Sequence, residues 1–209
     1  MRPPFAVLLV IGLLAAGEAR AQGCPWQAGP CSGTAPWLEQ ARDPIAAKAA
    51  LIGGQADFMT ANFLRSAEAT GEAFRRDPDN LEAAIWHIAA MARLGQYPAA
   101  LVATIRRNRT NLAPWPGPLI SWLLGEMDRV AVQDRATDPN SSLVEDYAFS
   151  FFFFYISSVA EAQGQADLAE KALASILDLG PGADRQILRA ATMELGRVIA
   201  RNDSRREKD

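Results

Sequence analysis

Cys24 and Cys31 are the only thiols in a chain of 209 residues, and His87 is its only imidazole. The cysteines stand in Cys24-Pro25-Trp26-Gln27-Ala28-Gly29-Pro30-Cys31, with Pro and Gly turn formers between them. A redox dithiol takes Cys-x-x-Cys and a c-type haem takes Cys-x-x-Cys-His, so the spacing suits neither. In an oxidising compartment the pair is expected to close a small disulfide loop. Chain entropy credits such a loop with about 2 to 3 kcal/mol. Lipidation of Cys24 is the weaker alternative, because Ala21 stands where a bulky aliphatic residue would be needed. His87 lies between Trp86 and Ile88 with no second histidine, so neither a metal site nor an ordinary Ser-His or Cys-His pair is expected. No Gly-rich phosphate loop, His-Glu-x-x-His helix or nucleophile elbow occurs. Glu145 and Asp146 are neighbours that diverge on a helix, and with Glu126, Asp128 and Glu161 they read as solvated charges rather than an acid and base pair. The expectation is a protein without a reaction, a metal or a cofactor.

The aromatic run Phe151-Phe152-Phe153-Phe154-Tyr155 is the other chemical oddity. Successive helical residues point about 100° apart, so the rings cannot share one face. Either that helix is covered nearly all round, or one or two rings line an open groove.

The elements that position these residues begin after a leader. Arg2, an apolar stretch over residues 5–17 and Ala19-Arg20-Ala21 predict a secretory signal over residues 1–21. The apolar stretch is shorter than the roughly 20 residues a membrane helix needs, so no integral span is expected once the signal is cleaved. The Ala- and Arg-rich composition points to the bacterial periplasm. The formal net charge of −3 argues against nucleic acid and anionic lipid as partners.

Residues 22–43 carry Gly, Pro, Cys and Ser without a period and read as an irregular segment stapled by the cysteines. Residues 44–200 are helical in pattern. Asp43-Pro44 opens a first helix and Gly53-Gly54 is expected to end it. Phe58, Ala61, Leu64, Ala67, Gly71 and Phe74 form one stripe, which predicts a helix over 55–76. Further helices are expected from Leu81 to Leu94, after Gly95-Gln96, after the Pro-rich stretch 111–118, over 143–163, after Gly164-Gln165, and after Gly180-Pro181-Gly182. The tail 201–209 is highly charged and expected to fray. No strand pattern or hairpin dipeptide appears, so the fold class is all-α.

Gly95-Gln96 recurs as Gly164-Gln165 69 residues on, close to twice a 34-residue period. The hairpins resemble tetratricopeptide repeats. The resemblance lies in Asp77-Pro78-Asp79-Asn80, Gly95-Gln96-Tyr97 and Ala100 in one unit, and in Phe153, Ile156, Ser157, Ala169, Leu173 and Pro181 in the later one. It departs at Ala84, His87, Ile88 and Thr104, and the middle unit over 115–148 keeps only Leu119, Trp122 and Leu123. The resemblance implies stacked antiparallel hairpins in a right-handed superhelix, with the first helix of each unit lining a concave face. The matching positions are Ile85, Ala89, Arg93, Phe151, Phe154, Ser158 and Glu161. It implies a non-enzymatic adaptor that takes a protein or peptide partner in an apolar groove. The alternative is a helical enzyme or carrier with an enclosed apolar pocket among Trp86, Trp122, Phe151 and Phe154.

Overall fold

The computed structural model describes residues 42–206 apart from 97, 109, 125 and 138–144. The leader, the Cys24 and Cys31 pair and residues 207–209 lie outside the described residues. Nine α-helices and no strand occur among the described residues.

Asp43 opens α1 (Pro44–Met59), its carboxylate accepting from the Ala46 N–H at 2.9 Å. Pro44 sits in the first turn, where no donor is required. Gly53 and Gly54 do not stop the helix. Gly54 is buried where α1 meets α2 (Phe63–Arg76), and a Cβ there would lie 2.6 Å from Thr70 Cγ2. The glycine therefore lets two helix backbones approach instead of breaking one. The single helix expected over 55–76 is correspondingly two, joined by a turn in which Ala61 takes a φ of 61°. An L-residue meets a cost of roughly 1 to 2 kcal/mol there.

Asn80 caps α3 (Leu81–Arg93), accepting from the Ala83 N–H at 3.0 Å. At its end Gly95 has a φ of 66°, the Gly95 N–H donates to Ala92 O at 2.9 Å, and the Gln96 N–H donates to Met91 O at 2.9 Å. After the bend come α4 (Ala99–Asn108), α5 (Gly117–Leu123), α6 (Arg129–Ala136) and α7 (Glu145–Ala162). The end of α7 repeats the motif: Gly164 has a φ of 70°, its N–H donates to Glu161 O at 3.1 Å, and the Gln165 N–H donates to Ala160 O at 2.8 Å. The sequence echo is thus one helix-terminating turn used twice, with glycine in the left-handed region both times. Then α8 (Ala166–Leu179), a 3₁₀ turn (Gly180–Gly182) and α9 (Arg185–Arg206) follow. The last helix continues through residue 206 because Arg201 and Asn202 are tied to Glu161 and Glu170.

Neighbouring helices stack, as a helical repeat fold requires: α1 on α2, α2 on α3, α7 on α8, α8 on α9. Two further contacts change the outline. Helix α3 packs directly along α7, past the middle unit, and α9 returns to α1. The helices α1, α3, α7 and α9 therefore close on one another around a common interior.

Helix α7 is the central member. Phe151, Phe152, Phe153 and Phe154 are each at most 1% exposed, so of the two readings of the aromatic run the covered helix is the one observed. On one side Phe154 meets Trp86 at 4.7 Å and Phe58 at 5.2 Å between ring centroids. On the other, Trp122 meets Phe152 at 6.0 Å and Tyr155 at 5.7 Å.

Candidate functional site

The seven positions singled out for a groove lie along the seam between α3 and α7. Ile85, Ala89, Phe151, Phe154 and Ser158 are buried, and the Ser158 hydroxyl turns back to donate to Phe154 O at 3.0 Å. The side chains of Arg93 and Glu161 are only 9% and 4% exposed. The structure brings the seven together along this seam, with Phe58 of α1 on Phe154 and α9 side chains on Arg93 and Glu161.

The charged end of the seam is an ion network spanning three helices. Arg93 on α3 lies 3.4 Å from Glu161 on α7 and bonds to Glu194 on α9. Arg197 bonds both Glu194 and the Met59 carbonyl at the end of α1, and Arg201 bonds Glu161. The Arg93 guanidinium also sits 4.5 Å from the Phe63 ring centroid, a stacking that a planar cation favours. Glu194 is not among the residues singled out in the sequence, because a lone carboxylate in a helical stretch reads as a solvated charge. Its signal was present: Ile187, Ala191, Glu194, Val198 and Asn202 recur at steps of three and four, and all five are buried. A carboxylate at a core-facing position demands a cationic partner.

The opposite end of the seam is polar as well. Gln55 on α1 donates to Glu82 on α3 at 2.7 Å. Asp184 caps α9 by accepting from the Gln186 and Ile187 N–H groups at 2.9 Å, and its own N–H donates to Ser150 on α7 at 3.1 Å. Burial raises the Glu82 pKa above the ordinary carboxylate value, and the Asp184 charge raises it further, while the Gln55 and Trp86 side chains pull it down. The buried Trp86 Nε1–H has no hydrogen-bond partner of good geometry, so Gln55 is the donor that holds this carboxylate. Burial, then Asp184 and Glu82, push the Tyr147 hydroxyl up to about 12.

Glu82 thus holds its proton more tightly folded than unfolded. Its contribution to stability is fully present below the unfolded value of 4.5 and is lost as pH rises through the folded pKa. Glu82→Gln is expected to leave the melting temperature unchanged near pH 4 and to raise it near pH 8, flattening the profile between. Thermal melts across that range check the sign.

A separate cleft of about 240 Å³ opens between α2 and α4, with His87 of α3 in its wall. The His87 Nδ1 lies 2.8 Å from Ala67 O, so Nδ1 carries the proton. Burial lowers the His87 pKa, the Ala67 carbonyl partly restores it, and the Arg75 charge lowers it again.

Among the described residues no group of His, Cys, Asp and Glu could hold a metal ion, and no helix is long and apolar enough to cross a membrane. The aromatic side chains proposed for an enclosed pocket are in contact with other rings, Trp86 with Phe154, Trp122 with Phe152, and Phe151 with Tyr147 at 5.1 Å. No family model matches the chain, and neither a curated protein nor a solved structure matches it.

Proposed function

We propose that this chain is a secreted, periplasmic, non-enzymatic adaptor of tetratricopeptide-like build, which takes a protein or peptide segment along the α3 and α7 seam. In the closed form the chain's own last helix occupies the position of that segment. One observation carries the reading. The two charged groups that the resemblance assigns to a partner, Arg93 and Glu161, are met by Glu194 and Arg201 on α9, the kind of complementary charge an incoming helix would supply. Partner binding then requires α9 to yield, and its most exposed charged tether is Arg201, whose side chain is 51% exposed.

Arg201→Ala removes that tether and leaves the apolar interior intact. Affinity capture from the secreted fraction, with the intact chain and Arg201→Ala side by side, tests the reading. The variant is expected to retain several-fold more of the same partner. Equal retention by both, or none by either, would overturn it.

A further inference from the structure

The cleft between α2 and α4 has no part in the seam, and its chemistry is specific. Its walls are Ala67, Gly71 and Phe74 from α2 and Ala100, Leu101 and Thr104 from α4. A cavity of about 150 Å³ lined by apolar side chains admits benzene, so about 240 Å³ has room for one substituted ring. The Thr104 hydroxyl donates to Ala100 O at 2.8 Å, which leaves that oxygen only acceptor capacity toward the cleft. With Nδ1 committed to Ala67 O, the neutral imidazole keeps Nε2 as its acceptor. Among the described residues no hydrogen bond to that nitrogen occurs. Glu68 and Arg75 of α2 also line the cleft, and the Arg75 guanidinium bonds to Glu72.

Gly71 explains how the ring reaches this position. A Cβ there would lie 3.0 Å from His87 Cε1 and 3.1 Å from Nδ1, so the Nδ1 and Cε1 edge rests directly on the backbone of α2. The imidazole is thereby fixed in orientation and tautomer before any ligand arrives, which lowers the entropy cost of binding.

We propose that this cleft binds a small single-ring aromatic that carries one hydrogen-bond donor, of the phenol or indole class, with its ring between Phe74 and Leu101 and its O–H or N–H donated to His87 Nε2. Apolar walls select the ring, and the acceptors His87 Nε2 and Thr104 Oγ1 select the donor.

Because the chain has one histidine, its imidazole nitrogen resonances report on this site alone. The intact chain is titrated with p-cresol and with toluene at pH 7, followed by long-range ¹H–¹⁵N correlation. A saturable shift of Nε2 is expected with p-cresol, and toluene is expected to bind about tenfold more weakly for want of one hydrogen bond. Leu101→Trp fills the cleft from its wall. Ala100→Phe fills it from an exposed position and spares the core. Either variant that keeps the parent's helicity is expected to lose the response. No saturable shift, equal affinity for toluene, or a response that survives in a folded filled variant would overturn the proposal.

Discussion

Glu194→Ala is expected to lower the free energy of unfolding by about 3 to 5 kcal/mol. The network holds Arg93, Arg197 and Arg201 against Glu161 and Glu194, and both carboxylate side chains are at most 4% exposed. Removing Glu194 leaves cations in excess around one carboxylate, and Arg93, at 9% side-chain exposure, keeps only Glu161 at 3.4 Å. Burying an unmatched guanidinium costs far more than the pair contributes in place. In melting temperature the loss is on the order of 10 °C for a domain of this size. Added salt should restore little, since screening acts weakly on charges removed from water. Arg93→Ala should cost less, because Glu194 retains Arg197 and Glu161 retains Arg201. Urea unfolding of the two variants measures the order.

Phe154→Ala carries the second large effect, again about 3 to 5 kcal/mol. The ring is fully buried between Trp86 and Phe58. Truncation removes the apolar transfer energy and leaves a cavity that two large rings on separate helices cannot close. Phe154→Leu should cost about 1 to 1.5 kcal/mol, as a swap that keeps most of the volume. An open groove would behave differently: a ring exposed on a concave face tolerates Ala with little change in stability. Denaturant midpoints of the two variants separate the cases.

The helix bends were legible because their cause is local. Glycine after a helical run, followed by Gln and a new apolar period, specifies the terminating turn at Gly95 and at Gly164. The Asp43 cap was legible for the same reason. Gly53-Gly54 was not, since a glycine pair marks either a stop or a close approach, and Thr70 across the helix pair decides which. The turn at Ala61 gave no signal, because alanine is an improbable occupant of positive φ and the conformation is imposed by the packing of α1 on α2.

The seam was partly legible. The tetratricopeptide resemblance assigned Arg93 and Glu161 to one face with Ile85, Ala89, Phe151, Phe154 and Ser158, and all seven lie along the α3 and α7 seam. What covers them is decided by ring closure, a property of the whole set of packing angles. Local sequence records only its trace, a carboxylate in the apolar stripe of the last helix. The His87 cleft was illegible for a related reason, since its walls come from α2 and α4 and its acceptor from α3.

A double-mutant cycle between Arg93 and Glu194 tests the closed seam most directly, because the two residues touch only if α9 lies on the end of α3. The single variants Arg93→Met and Glu194→Gln and the double variant are compared by urea unfolding. A coupling energy of about 1 to 3 kcal/mol is predicted. Single effects that add to within about 0.3 kcal/mol would mean the residues do not interact, and the seam is not closed by the last helix.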